Sequence, residues 1–581
     1  MKKSIILFFS TLLLLTSCTQ KDEDLKITSI TFDSTQVVIG VSESTTLTLK
    51  QTPANLPAPV LTWVSLSPDI ATVDANGVVK GMSIGTAKIK VSIQSDQSIN
   101  TTCNVVVKTR GTSDLPYLIN TVQDLIQMRD RVNKDNANYG NKVYKLMTDL
   151  DFSNEANWIP IGTNTNNFTG IFNGNGKIIK NIKIGTVNTI VSNLNSSGLF
   201  GYISGGKVLN LNVDWYCLNT SSAAGGIAGN SDNSTLIDNC HTSGIISGSQ
   251  YSGGIVGISI DTEIKNSSSV RETTTNLNSS DTYDGGIVAK ASDTRINNCY
   301  SNGNLSAYNC GGIIGAASNG TTVNDCYSMG NISSLGGMYP AVGGIIGNGS
   351  NTIINHCYSI GTIKSNGGMS YAGGIAGNLT GEIYNSYSTG TINSDLYSGG
   401  IVGYVIGKIY NCYSIRGITS YSEGSSPHSG GIAGFSNGTI CNCYSSGNIS
   451  STSTRRESYS MPCNAGGIAG FGSGIIINSI ALNLTITTQG NTSYVNLSSK
   501  RIANIGSTTC NNNYALKTMI LKNGSNTITD LSETKSNGID ITNEPYTLLN
   551  NFVNSNPTIN NITLLKWKVE TGINNGYPIF Q

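Results

Sequence analysis

Gly400-Ile401-Val402-Gly403, followed by Asn411-Cys412-Tyr413-Ser414, decides the reading of this chain, because variants of the same phrase recur along it. Earlier copies read Gly226-Ile227-Ala228-Gly229 … Asn239-Cys240-His241-Thr242 and Gly312-Ile313-Ile314-Gly315 … Asp325-Cys326-Tyr327-Ser328. The second glycine falls at 198, 226, 254, 286, 312, 344, 374, 400, 431 and 467, a step of 26 to 36 residues. A supersecondary unit repeated ten times implies a solenoid, in which each unit buries its apolar face only against its neighbours.

Pleat parity refines the unit. Ile409 and Cys412 are three apart, so one straight strand cannot point both inward. A bend at the asparagine between them resolves this, since Asn tolerates left-handed backbone. Asn298, Asn385, Asn411 and Asn442 then stack as a ladder, with Ile and Cys facing in and the next residue facing out. That outward slot holds Tyr300, Tyr327, Tyr358, Tyr387, Tyr413 and Tyr444, the candidate ligand-binding strip. Flat aromatics offer area to sugar faces or protein partners; the alternative is a ladder that only stabilises the sheet. The cysteine slot (Cys240, Cys299, Cys326, Cys357, Cys412, Cys443) also accepts Ser267, Ser386 and Ser479, which predicts small buried thiols rather than disulfides.

The repeats resemble the GLUG motif family, Gly198-Leu199-Phe200-Gly201 being the most literal copy. The resemblance implies a parallel β-helix over 198–483 and occurrence in adhesin-like surface proteins. Upstream, Trp63-Val64-Ser65, Ile70-Ala71-Thr72-Val73-Asp74, Gly77-Val78-Val79-Lys80-Gly81 and Gly85-Thr86-Ala87 resemble the group 2 bacterial immunoglobulin-like domain. That implies a β-sandwich spacer over 27–108 with Trp63 in its core. Thr121 and Asp124 are spaced as a capping box, with Leu125, Met128 and Val132 on one helix face. That helix and the strands after it are expected to cap the solenoid over 113–197, with a closing cap over 484–581. The fold class is thus all-β, an Ig-like sandwich followed by a parallel β-helix.

Residues 1–17 read as a signal peptide, with basic Lys2-Lys3 and an apolar run from Ile5 to Leu15. Leu15-Thr16-Ser17-Cys18 resembles a bacterial lipobox, which implies lipidation at Cys18. The tether 18–26 includes Gln20-Lys21-Asp22-Glu23-Asp24, similar to an acidic surface-export signal. The expected location is the outer face of a Gram-negative outer membrane, with a lipid anchor.

Charged residues are 12% of the chain, about half the usual fraction, and 35 basic residues balance 34 acidic ones. No electrostatic footprint for nucleic acid results. The three histidines, His241, His356 and His428, lie outside any H-E-x-x-H motif, and no cysteines have zinc spacing. No catalytic residue, metal or cofactor is expected. Asp232, Asp261 and Asp293 recur six or seven residues after the second glycine, but Asn319 and Asn351 continue the line, as in a turn. The reading is a monomeric, adhesin-like surface lipoprotein with glycan or host-matrix protein ligands. A carbohydrate-active β-helix enzyme (polysaccharide lyase or glycosidase) and a passive stalk are the alternatives.

Overall fold

The computed structural model describes residues 26–221, 223–272, 282–454, 461–490, 495–505, 509–532, 534–542 and 544–581. The chain divides into two compact units, one ending at Pro116 and one spanning Tyr117–Gln581.

In the first unit, Gln36–Gly40, Asp96–Lys108, Gly85–Ile93 and Leu61–Ser65 form one sheet in that order, and Ser44–Thr46, Val78–Gly81 and Ala71–Val73 form a smaller one. Alternation along Gly85–Ile93 sends Ala87, Ile89 and Val91 into the core, as a two-layer sandwich requires. Trp63 is half-buried, packs 5.9 Å from Phe32 and sits so close over Gly77 that a Cβ there would lie 2.6 Å from its ring. It is a packing residue.

The second unit is a parallel β-solenoid of about twelve turns. One turn comprises Tyr397–Gly399, Val402–Val405, Lys408–Tyr410, Tyr413–Ser414 and Ile418–Ser422. Each strand pairs in parallel with its counterpart one turn on, as Tyr397↔His428, Val402↔Ala433, Ile409↔Ile440, Tyr413↔Tyr444 and Ile418↔Ile449.

Each residue of the Asn-Cys-Tyr-Ser phrase has its own task. Asn411 takes the left-handed bend at φ 57°, and the same slot has positive φ at Asn298, Asn385 and Asn442. Its amide donates to the previous rung, Asn411 to Asn385 and Asn442 to Asn411, each at 2.8 Å. The cysteine follows the bend into the core, and its Sγ donates to the carbonyl two residues back, as Cys412 does to Tyr410 at 3.2 Å. Ser386 makes the same bond to Tyr384 at 2.7 Å, which is why serine substitutes there. All twelve described cysteines are buried and unpaired. The closing hydroxyl hooks the turn onto the next Gly-Gly-x-x-Gly pentad, as Thr242 does in donating at 2.8 Å to the Gly254 carbonyl of Gly253-Gly254-Ile255-Val256-Gly257. Glycine is compulsory there, since a Cβ on Gly400 would lie 2.0 Å from the Gly431 carbonyl oxygen.

The parallel pairing runs beyond 198–483 in both directions, correcting the expected caps. Tyr117–Ile119, Val143–Leu146 and Ile171–Asn173 already pair rung to rung, beside the helix Val122–Lys134. That helix has its capping box in place and buries Leu125, Met128 and Val132. Downstream, Ala503–Ile505, Thr509–Asn511 and Tyr514–Ala515 continue the ladder, and Ile539–Asp540 adds a last strand. These turns lack the pentad. Beside Gly467 the next turn carries Arg501, wholly buried, whose guanidinium meets Asp540 at 2.6 Å. A large side chain fits there because no further pentad is stacked on it.

Residues 544–581 are not an end cap. The helix Pro545–Ser555 and the two short hairpins after it fold back along the flank of the solenoid. Their apolar side chains find cover on the outward tyrosines rather than on the open last turn.

Candidate functional site: the tyrosine strip

The outward slot runs His241, Ser268, Tyr300, Tyr327, Tyr358, Tyr387, Tyr413, Tyr444, Ile480 and Tyr514 in continuous register. From Tyr300 to Tyr444 the six rings form one stack, with centroids 4.8 to 5.1 Å apart and planes within 6°. Strand spacing imposes this separation, and the identical backbone of every turn imposes the common tilt.

The stack is not uniformly outside, and this corrects the sequence reading. Tyr413 is 4% and Tyr444 0% exposed, because the C-terminal segment lies over them as a strap. Trp567 packs 5.8 Å from Tyr413 and 5.6 Å from Tyr444, and Phe580 5.3 Å from Tyr413. The asparagine ladder receives the strap backbone. Asn385 donates to the Thr563 carbonyl and accepts from the Leu565 amide, both at 2.9 Å, and Asn411 donates to the Leu565 carbonyl at 2.9 Å. Asn560 adds bonds to Glu382 (3.0 Å) and the Tyr384 hydroxyl (2.9 Å), and Asn574 reaches the Tyr444 hydroxyl at 2.7 Å. Burial pushes the Tyr387 phenol up to about 12 and raises the Tyr444 phenol well above its ordinary value. Parity gives a side chain's direction; it does not tell what later covers it.

Tyr300, Tyr327, Tyr358 and Tyr387 remain half-buried, the last already reached by Phe580 of the strap at 6.3 Å. Beside them in the ladder slot stand Asp325 and His356, 58% and 54% exposed, with Asp325 Oδ1 2.6 Å from His356 Nδ1. Upstream of Tyr300 the strip runs into a depression of about 390 Å³ that includes Asn212, His241, Ser268 and Val270. His241 Nδ1 lies 2.7 Å from Ser268 Oγ, and burial lowers the histidine's pKa.

The recurrent carboxylates are turn residues or bond a neighbouring hydroxyl. Asp261 and Asp293 adopt left-handed turns at φ 42° and 47°, as do Asn319 and Asn351. Asp232 lies one residue before its turn and accepts the Tyr202 hydroxyl at 2.6 Å. Among the described residues, no group of three or more His, Cys, Asp or Glu is placed to hold a metal ion. Cys18 and the expected signal peptide (1–17) lie outside the described residues, and among those described no helix is long and apolar enough to cross a membrane.

A second aromatic group escaped the sequence reading. Tyr371 stacks on Tyr397 at 5.5 Å, Tyr404 on Phe435 at 5.0 Å, and His428 on Phe471 at 5.1 Å. The signal was present, because these residues recur two before the paired glycines or directly after the pentad. The cysteine phrase drew attention away from it.

Comparison with known families fits this architecture. Residues 26–105 match the bacterial Ig-like domain (group 2), and residues 369–393 match the GLUG motif. The chain therefore carries an N-terminal bacterial Ig-like domain and, within its solenoid, a GLUG motif. Its GLUG match covers Tyr371 to Ile392, including the pentad, the Asn385 bend and Tyr387. The chain is 28% identical over 186 residues to halomucin of Haloquadratum walsbyi strain DSM 16790 / HBSQ001, an alignment covering 30% of this chain and 2% of that protein. A solved IgA1 protease aligns with 81% of this chain and 28% of its own, at 15% identity and a TM-score of 0.22.

Proposed function

We propose that this protein is an adhesin-like surface lipoprotein, anchored through Cys18 in a Gram-negative outer membrane. In this reading it holds a glycan or protein ligand against Tyr300, Tyr327, Tyr358 and Tyr387. The observation that carries this is the coplanar tyrosine stack, whose upstream rings remain half-buried while its downstream rings already hold a polypeptide strap. A strip that buries Trp567 and Phe580 at one end has the chemistry to bury a partner at the other. Similarity to halomucin is in keeping with a place at the cell surface. Binding rather than turnover is the proposed role, since Asp261 and Asp293 serve as turn residues.

The test is an array of glycans and matrix proteins probed with the mature protein, then with a Tyr327→Ser/Tyr358→Ser double variant. Each lost contact is worth about 1 kcal/mol, so affinity for the ligand found should fall roughly thirtyfold. Full binding by a folded double variant, or no ligand on the array, refutes the reading. Cys18→Ala should abolish membrane fractionation; an unchanged distribution rejects the anchor.

A further inference from the structure

The tyrosine stack ends at Tyr300 for a definite reason. The next slot upstream holds Ser268, and the one beyond it holds His241. With strands about 4.8 Å apart, the imidazole and the phenol stand on rungs roughly 9–10 Å apart, with only a serine hydroxyl between. Stacking one ring between two others takes about 3.5–4 Å on each side. The missing tyrosine therefore leaves a gap one six-membered ring thick. The gap opens into the depression of about 390 Å³ that Ile178, Asn212, His241, Ser268, Val270 and Tyr300 help to line. That volume is at the lower end for small-ligand pockets.

We propose that this gap is a subsite for one uncharged sugar ring, stacked on the face of Tyr300 that looks upstream, with its hydroxyls on Ser268 and Asn212 and the His241 imidazole as the opposite wall. The chemistry of the walls selects this class. One wall is a flat aromatic face, which suits the C–H face of a pyranose. The floor carries a hydroxyl and an amide, which suit edge hydroxyls, and the imidazole, both of whose nitrogens are engaged, closes the far side. Among the described residues that line the depression none carries a carboxylate, ammonium or guanidinium. Asp214, just behind the wall, is already bonded to Ser243 at 2.7 Å, so the walls themselves offer a uronate or amino sugar no counter-charge. An aromatic side chain would stack equally well but would cover Ser268 and Asn212 without bonding them, at a desolvation cost. His241 is held in place by Ser268 at 2.7 Å and Asn239 at 3.2 Å. If Nε2–H donates to Asn239 Oδ1, Nδ1 accepts from Ser268, and the serine oxygen keeps lone pairs for a ligand hydroxyl. The subsite continues into the open strip, so a longer saccharide extends along Tyr327 and Tyr358. In this it rests on the proposed function and narrows its ligand.

The test is saturation-transfer difference NMR on the mature protein. The probes are methyl α-glucopyranoside, methyl α-mannopyranoside, methyl β-galactopyranoside and N-acetylglucosamine. Sodium glucuronate and N-acetyl-tyrosinamide serve as contrasts. Ser268→Tyr adds the missing ring in a slot that takes tyrosine on the next six turns, and Tyr300→Ser removes the stacking face. At least one neutral glycoside should show transfer to its ring C–H protons, with affinity about tenfold weaker in each variant and unchanged in a Tyr421→Ser control, an exposed tyrosine on a different sheet of the solenoid. Cooperative melting of each variant establishes that it is folded. Silence from every neutral sugar, an undiminished signal in both Ser268→Tyr and Tyr300→Ser, or a response to the tyrosinamide alone overturns the proposal. If these sugars fail while the array ligand still depends on Tyr327 and Tyr358, the subsite is wrong and the strip stands. If sugar binding is lost in Ser268→Tyr while the array ligand ignores Tyr327 and Tyr358, the subsite stands and the wider strip is wrong.

Discussion

Trp567→Ala should release the C-terminal strap and leave the solenoid folded. Trp567 is 2% exposed and lies against Tyr413, Tyr444 and Phe580, the last only 4.5 Å away. Truncating a buried tryptophan to alanine costs about 3–5 kcal/mol in lost transfer energy and cavity. Here that cost falls on docking, because the strap adds no rung to the ladder. At 1.4 kcal/mol per tenfold, the undocked fraction rises roughly a hundred- to several-thousand-fold. Hydrogen exchange read by mass spectrometry should show this as faster exchange in peptides from 545–581, and nitration of Tyr413 and Tyr444 should rise with it. Peptides between 240 and 330 should keep their protection. Unchanged exchange in 545–581 would mean that Leu549, Val553 and Leu564, all buried, hold the strap without the indole. Equal loss of protection throughout the solenoid would mean that the strap is part of the folding unit, and the reasoning would fail.

Stability should also depend on pH through His428, which is only 4% exposed and held down to about 4 by that burial. The unfolded chain takes up the proton first, so this contribution is complete above about pH 6.5 and is lost as pH falls toward 4, a change of about 3 kcal/mol. His428→Asn, which matches Asn464 on the next turn, should flatten that part of the denaturation profile; an unaltered slope refutes it. Cys412→Ser should cost less than about 1 kcal/mol, because Ser386 already makes the equivalent bonds; a fall above about 2 kcal/mol in denaturant midpoints would refute the slot assignment. With all twelve described cysteines unpaired, dithiothreitol should leave the melting temperature unchanged, and a drop on reduction would contradict the ladder.

What could be read from the sequence was whatever repeats. The bend at Asn411, the inward Cys412 and the register of the six tyrosines all follow from spacing and parity, because every turn meets the same neighbours. The strap was illegible for the converse reason. Its contacts join Asn385 to Leu565 and Tyr444 to Asn574, 180 and 130 residues apart, with no periodicity to announce them. Trp567 and Phe580 announced an apolar surface in need of cover, not where it would find it. The depression beside Tyr300 lay between these cases. Ser268 and His241 stood in the sequence as exceptions to the tyrosine slot, yet tolerance of substitution and a gap look alike until the walls are built.

The strap also changes how the solenoid would give way under load. In a stack of turns, each touching only its neighbours, the end turn peels first and the next follows at a similar force. Bonds from the strap to Glu382, Asn385, Asn411 and Tyr444, with packing against Ile480 and Leu482, tie these turns into one body. Tension entering at the C-terminus must therefore shear the strap off lengthwise before any of those turns can unwind. A pulling trace should show one high, early rupture from that end and a run of smaller steps afterwards. A tether at the opposite end of the chain would load the turns that have no such brace.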